Sequence, residues 1–472
     1  MIQSSLLPQM LLALIFATTG CVVGPIHLVP DSQAFLGTQY KNTPPKRSAA
    51  APSGSWWRLF KDSGLDGLEE EVLAGNQELA QARARIVASR AVVRLKYSER
   101  FPTSSFREDL PGISSSRISK NGSVSSGMST AVNRFPLLLD LNYEVDLWGR
   151  LRRGGEAAAA QSEAAVFDAE NARLFLTVEA ARLYYLHRSL EAEMGIARRG
   201  LEIDLRALNL SRIRKGAGLA TGLEVAQQQA ESTKSHGELS NLQRDLEQAF
   251  NSLAALSGKP PSQFKLSSTG RDFLSPVPSV PAGLPADLLN RRADIAAAER
   301  LLAARNAEIG VAIAAALPTI NLTGEGGSVS SDVGKLFMAS QGFGFFVPSL
   351  AVPLLDREKN LAGVKIAEAQ HEEQISVYRQ SILNAVQEVE DSLAALRAAR
   401  NQRVNSAVSQ QVAEQALRHA TIKHGAGIVD QSTLLEVENR LVAERRSEIQ
   451  AQAECYFANL QLIKTLGGGW KN

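Results

Sequence analysis

The chain has 472 residues, enough for more than one ordinary domain. A net charge of +2 gives no strong bias toward nucleic acid or an anionic surface, and a mean hydropathy of −0.11 is typical of a soluble protein. Only 6% of the residues are aromatic while alanine is abundant, a composition that favours long helices packed closely together. No run of about 20 apolar residues occurs, so any membrane crossing would have to use strands.

The first residues are typical of a secretion signal. The apolar segment Met10–Ala17 is too short to span a membrane, and small residues then precede Cys21. A lipoprotein has this order, but no Lys or Arg occurs among the first ten residues, and Thr18 stands where lipoproteins prefer leucine. A plain signal peptide and a lipid anchor therefore both fit these residues. We predict a signal peptide over residues 1–20 and a proline-rich tether over 21–55.

Proline positions divide the rest of the chain into the same order of segments twice, because proline breaks helix interiors and central strands. A helix-compatible run leads to a proline-bordered segment rich in glycine and serine, and a long proline-free run follows. We predict a first repeat over 56–259 with strands at about 101–147, a linker over 260–285, and a second repeat over 286–472 with strands at about 317–354.

A Gly-Ala-Gly motif occurs once in each repeat. Lys215-Gly216-Ala217-Gly218 recurs as His424-Gly425-Ala426-Gly427, with the glycines 209 positions apart. The preceding runs show coiled-coil periodicity, as in Leu190, Met194, Ala197, Leu201, Leu205 and Leu208. Glycine permits the positive φ of a helix C-terminus, so we expect each rod to turn back here, with partner helices over 219–256 and 428–466.

The proline-bordered segments contain the candidate strands. Residues 137–147 form the clearest strand: from 139 to 147 they alternate between a wholly apolar face and a polar, mostly acidic face, and Phe343, Phe345 and Val347 alternate similarly. The Gly/Ser-rich stretches 114–127 and 324–335 are predicted to be exposed loops. Two strands per repeat give four per chain, fewer than the roughly eight that close a barrel, and open edges are not tolerated in lipid. A membrane-spanning interpretation therefore needs two or three chains in one barrel, and strand counting does not choose between them.

Several motifs, taken in order, make the chain similar to the TolC-like outer-membrane factors, specifically the NodT-type lipoproteins of resistance–nodulation–division (RND) efflux systems. The resemblance covers nearly the whole chain after the signal, and it is carried by residues 21–25, Trp56-Trp57, Asp146-Leu147-Trp148-Gly149-Arg150, residues 284–299 and Leu466-Gly467-Gly468-Gly469-Trp470. Ala293, Leu317 and His424 depart from the family pattern, which has proline, an aromatic residue and tyrosine there.

The resemblance implies an α+β membrane protein with an internal duplication. Three chains with four strands each would form a 12-stranded β-barrel in the outer membrane, continued by a 12-helix α-barrel in the periplasm. Cys21 would carry lipid such as palmitate. The family role is passive exit of small molecules, including drugs in multidrug resistance, through a channel that docks on a periplasmic adaptor and an inner-membrane RND pump. No catalysis, cofactor, metal or nucleic-acid partner is implied.

The family pattern also implies where the site residues lie. Carboxylates after the tip glycines narrow the tunnel mouth, and Glu224 and Glu436 match those positions, with His424 as a nearby titratable group. Both carboxylates are otherwise ordinary solvated helix residues. The residues expected to face the adaptor are Lys215, Gly216, Gly218, Gly425 and Gly427.

Two other functions remain open from the sequence. One is a channel for protein export by a type I-like system, and the other is a periplasmic coiled-coil adaptor without a pore. The six histidines form no metal-spaced pair, and no phosphate-binding loop is present. Cys455 lies in an apolar helical pattern and is expected to be a buried small side chain rather than a disulfide partner of Cys21.

Overall fold

The structure is a computed structural model. It describes residues 22–31, 35–36, 40–41, 54–108, 135–267, 272–281, 285–330, 333–335, 337–338, 340, 342–353 and 355–468. Two compact units are formed, each from three stretches of chain. The first, called the sheet unit, comprises residues 1–30, 86–165 and 298–377, and the second, called the helical unit, comprises 31–85, 166–297 and 378–472.

The order of helices and strands is repeated. The first copy contains α1 (Ser63–Gly75), α2 (Gln77–Ser98), β1 (Thr103–Glu108), β2 (Phe135–Val145), α3 (Arg150–Gly216) and α4 (Gly222–Leu256). The second contains α5 (Leu288–Arg291), α6 (Ala293–Ala315), β3 (Thr319–Ser330), β4 (Gly342–Ala351), α7 (Arg357–Gly425) and α8 (Gln431–Thr465). In both copies a helix of nearly 70 residues is followed by one of 35, which is the arrangement expected of a duplication. No described helix is both long and apolar enough to cross a membrane.

The sheet unit contains a four-stranded antiparallel sheet in the order β1-β2-β3-β4. Asn142 on β2 pairs with Thr103 on β1 and with Thr323 on β3. The apolar residues Leu141 and Tyr143 alternate with polar ones as the sequence predicts. β1 lies between Pro102 and Pro136, and β3 and β4 lie between Pro318 and Pro353, whereas most of β2 follows Pro136. The predicted loop 114–127 lies outside the described residues.

One expectation for the second copy is wrong. Most of the predicted loop 324–335 belongs to β3, because its glycines leave room for neighbouring strands: a Cβ on Gly324 would lie 2.8 Å from a Phe346 ring carbon. Phe345 and Val347 occupy alternate positions on β4. Phe345 pairs with Glu325 and Val347 with Thr323, so these apolar side chains share a face with the polar residues of β2.

The helical unit has an aromatic core. The rings of Tyr185 and Tyr456 stack with centroids 4.0 Å apart, and Phe60 packs against both. Asp62 caps α1 by accepting from two of its backbone N–H groups, and it also accepts a hydrogen bond from the Tyr184 hydroxyl at 3.0 Å. Cys455 is buried as expected and forms no disulfide with a described residue, and burial raises the pKa of its thiol.

The predicted coiled-coil seam of α3 is only partly buried within one chain. Leu190 and Leu208 are buried, whereas Leu205 is 50% exposed. An exposed leucine in an otherwise regular seam lacks a packing partner in the single chain.

Candidate functional site

The first Gly-Ala-Gly motif ends α3 and turns the chain into α4. We call residues 214–221 the first tip. Gly218 has a positive φ of 72°, the left-handed conformation that lets a helix terminate. The Leu219 N–H donates to the Arg214 carbonyl at 2.8 Å, and the Gly218 N–H donates to the Lys215 carbonyl at 3.0 Å. This pair of bonds satisfies carbonyls that the end of the helix would otherwise leave exposed.

The second tip, residues 423–430, repeats this geometry. Gly427 also has a φ of 72°. The Ile428 N–H donates to the Lys423 carbonyl at 2.9 Å, and the Gly427 N–H donates to the His424 carbonyl at 2.9 Å. Each of these residues lies 209 positions after its counterpart in the first tip, so the two turns are built alike from the duplicated sequence.

The two tips differ in the chemistry that starts the next helix. Thr221 and Glu224 form a capping box at the start of α4, in which Glu224 Oε1 lies 3.2 Å from the Thr221 backbone nitrogen. Asp430 caps α8 alone. Hydrogen bonds from Ser432 and Thr433 lower the pKa of Asp430 to about 2, so the second tip carries a fixed negative charge.

Two contacts tie the tips in place. Arg214 of the first tip lies 3.8 Å from the carboxylate of Asp430 in the second, an exposed ion pair between the copies. The Nδ1 atom of His424 lies 3.0 Å from the Val429 carbonyl, so this half-buried ring bridges its own turn. His424 is therefore part of the second tip.

Glu224 and Glu436 line one cavity of about 410 Å³ in the helical unit, beside the tips. Asp204 and Glu231 add two more carboxylates, and Arg214 lies among them. Glu436 is exposed, whereas the carboxylate of Glu224 is engaged in the capping box. His424 is not among the residues that line this cavity, so the structure brings together two of the three predicted constriction residues within one chain.

Asp204 is a site residue that the sequence reasoning did not single out. Its buried carboxylate accepts hydrogen bonds from Ser235 on α4 and Asn439 on α8. A signal was present, because Asp204 falls on the apolar seam of α3, three residues after Leu201 and four before Leu208. A carboxylate on such a seam requires partners on the facing helices.

The remaining predicted site residues are three exposed tip residues and Cys21. Lys215, Gly216 and Gly425 are exposed at the tips. A Cβ at Gly216, or at Gly425, would meet nothing within 4 Å, and neither glycine has a positive φ. Cys21, the predicted lipid attachment site, lies outside the described residues.

Nearly the whole chain is similar to known outer membrane efflux proteins. The model of the outer membrane efflux protein family matches residues 68–259 and 284–468. The toluene efflux pump outer membrane protein TtgC of Pseudomonas putida is 31% identical over 96% of this chain and 95% of its own length. The cation efflux system protein CusC of Escherichia coli O157:H7 is 30% identical over 96% of this chain and 97% of its own.

Solved structures of outer-membrane channels have the same fold as this chain. The outer-membrane channel OprN matches with a TM-score of 0.82 and 28% identity, covering 95% of this chain and 99% of that one. The open state of the MtrE channel of Neisseria gonorrhoeae matches with a TM-score of 0.80 and 26% identity, covering 95% and 98%. These matches confirm the predicted fold class and exclude the coiled-coil adaptor. The chain therefore belongs to the outer membrane efflux protein family and is an outer-membrane channel component of an efflux system.

Proposed function

We propose that three copies of this chain form one channel, the passive exit duct of a tripartite efflux system for small molecules. The observation that carries the proposal is the pair of matching tips. A duct that docks on a partner protein needs an ordered end, and these two turns of one geometry provide it in each chain. Both edge strands of the sheet, β1 and β4, are exposed in the single chain. Pairing β1 of one copy with β4 of the next gives twelve strands from three copies and removes the open edges.

Glu436 is the best candidate for the constriction of this duct. Its side chain is exposed, and no Lys, Arg or His in the described part of the chain forms an ion pair with it. Three such carboxylates around one opening favour cations and repel one another. Glu224 contributes less, because its carboxylate is held by Thr221.

The tips are the proposed docking surface for a periplasmic adaptor that links the duct to an inner-membrane pump of the RND type. Gly218 and Gly427 are required by their positive φ. Gly216 and Gly425 are not, and the space around them is open, so the missing side chain leaves backbone accessible at an exposed helix end. Close approach of a partner backbone explains these two glycines, and Lys215 adds a cationic contact.

Lipid on Cys21 completes the proposal, with the tether that follows holding the channel at the outer membrane. Mass spectrometry of the mature N-terminus checks this directly. A diacylglycerol and an amide-linked acyl chain on Cys21 are expected, and an unmodified cysteine would remove the lipid from the proposal without affecting the channel.

Conductance and complementation test the channel itself. A deletion strain is expected to become sensitive to dyes and detergents, and the wild-type gene should restore resistance. Purified Glu436→Gln trimers in planar bilayers are expected to show lower cation conductance and weaker cation preference than wild type, because the variant removes the negative charge that attracts cations. The matched control is Glu454→Gln, an exposed glutamate on the same helix well away from the tip. Equal conductance in both variants would remove Glu436 from the constriction. Loss of a secreted protein without any drug sensitivity would favour protein export instead.

A further inference from the structure

The first described residues form a strap, residues 22–27, across the sheet unit. The backbone N–H of Val23 donates to the carbonyl of Trp148 at 3.0 Å. The amide of Asn306 donates to the carbonyl of Pro25 at 3.0 Å. At its far end, Nε2 of His27 lies 2.8 Å from the carboxylate of Glu299. The strap thus contacts the residues just before α3 on one side and the helix α6 on the other.

A single guanidinium holds most of the strap. Arg153 donates from Nε to the Val23 carbonyl at 3.1 Å, and from Nη2 to the carbonyls of Gly24 at 3.3 Å and Pro25 at 3.2 Å. Only 12% of the Arg153 side chain is exposed. Three consecutive carbonyls bound by one fork fix the direction of the backbone as well as its position.

Glycine meets glycine where the strap crosses α6. Gly24 has a φ of +102°, and a Cβ built there would lie 2.6 Å from the Cα of Gly310. A Cβ on Gly310 would in turn lie 2.9 Å from the Val23 carbonyl oxygen. No side chain fits at either position without moving the strap away from the helix.

The elements that the strap joins lead into the two central strands. Helix α3 follows β2, and α6 leads into β3. The indole N–H of Trp148 also donates to the Pro318 carbonyl at 2.8 Å, which links the same two junctions directly. β2 and β3 come from different copies and pair antiparallel without a short turn between them. A slip of one residue in such a pair would exchange its apolar and polar faces.

We propose that the strap sets the register of β2 on β3, with Arg153 and Asn306 as positioning residues. Tight turns fix the register in a hairpin, but this pair has none, so the offset between the start of α3 and the end of α6 must be fixed another way. The strap fixes it by binding both. This role is separate from any lipid on Cys21 and from transport.

Cysteine cross-linking reads the register. Asn142 and Thr323 are exposed partners on β2 and β3, so Asn142→Cys with Thr323→Cys reports the native register. Asn142→Cys with Glu325→Cys reports a shift of two residues on the same face. Both pairs are made in full-length protein with Cys455→Ala and oxidised in outer membranes. With Gly24→Ala or Arg153→Gln, the ratio of native to shifted product is expected to fall about fivefold or more.

Three variants keep the result interpretable. Gly154→Ala lies next to Arg153 where a Cβ meets nothing within 4 Å, and its ratio should equal wild type. If Gly24→Ala does not accumulate, Asn306→Ala removes one hydrogen bond and is measured in the same way. Cys21→Ser removes the acceptor of the lipid but keeps the strap, so its ratio should stay unchanged. The proposal is overturned if the strap variants give the same ratio of native to shifted product as Gly154→Ala. It is also overturned if they lower the total cross-linked product at a constant ratio, or if Cys21→Ser lowers the ratio by as much as they do.

Discussion

The buried carboxylate of Asp204 accepts a hydrogen bond from the amide of Asn439 at 2.7 Å, which joins α3 of the first copy to α8 of the second. Ser235 on α4 donates to the same carboxylate. Three helices therefore meet on one buried acceptor beside the cavity that Glu224 and Glu436 line.

Removing that acceptor is expected to loosen the three helices. Asp204→Ala leaves the half-buried Asn439 and Ser235 donors without this acceptor and should destabilise the helical unit by about 1–3 kcal/mol. Thermal unfolding of detergent-purified protein measures this, and limited proteolysis should show earlier cleavage near the tips. Asp204→Asn, which keeps an acceptor oxygen, should lose less. The control Glu202→Ala changes an exposed residue two positions away, and an equal loss there would contradict the assignment.

The four tip glycines are expected to behave as two pairs. Gly218→Ala and Gly427→Ala place a side chain at a φ of 72° and should cost about 1–2 kcal/mol each, seen as faster amide exchange in the tips. Gly216→Ala and Gly425→Ala meet open space and should leave exchange unchanged. Gly216→Ala and Gly425→Ala should nevertheless weaken in vivo cross-linking of the channel to the adaptor. Intact cross-linking in those two variants would show that their exposed backbone is not used in docking.

Glu69 on α1 predicts an unusual pH dependence of stability. The residue is fully buried, neither carboxylate oxygen has a hydrogen-bond partner among the described residues, and burial, with Asp66 adding to it, raises the pKa of Glu69 well above its usual range. The folded state therefore keeps this proton while the unfolded chain releases it above about pH 4.3. Stability from this group is complete below that pH and is lost as pH rises toward the folded pKa.

Glu69→Gln removes this dependence. The variant should match wild type at pH 4 and be more stable at pH 7 to 8, because wild type loses about 1.4 kcal/mol for each pH unit between about pH 4.3 and the raised pKa of folded Glu69. Thermal unfolding at the two pH values measures the difference. Glu70→Gln is the control, because Glu70 is exposed and its side chain forms only a surface ion pair with Arg58. An advantage of Glu69→Gln that is equal at both pH values would point to packing rather than to proton binding.

His424 stands where the family has tyrosine, and its ring bridges the second tip. Tyrosine has no ring nitrogen to reach the Val429 carbonyl, so His424→Tyr is expected to loosen this turn. Amide exchange in residues 423–430 is therefore expected to be faster in His424→Tyr than in wild type. Equal exchange in the two proteins would show that the ring contact does not hold the second tip in place.

The sequence predicted features that depend on local pattern. The tips follow from a repeated motif, and β2 follows from strict alternation over 139–147. β1, Thr-Ser-Ser-Phe-Arg-Glu, shows no alternation of apolar and polar residues, and only the proline that precedes it indicates where it begins. β3 continues through glycines that read as a loop, because Phe346 on the neighbouring strand needs their space. Contacts such as Asp204 with Asn439, or Arg153 with the strap, depend on residues more than 100 positions apart, which periodicity does not reveal.

The tips share a backbone but differ in their caps, Thr221 with Glu224 in one and the charged Asp430 in the other. An assembly of three chains therefore presents six turns of one shape in two alternating chemistries. A partner that recognises backbone finds six equivalent positions, and a partner that recognises side chains finds three. The six turns would alternate around the end of the channel, so a substitution in one tip changes every second turn and leaves the other three intact.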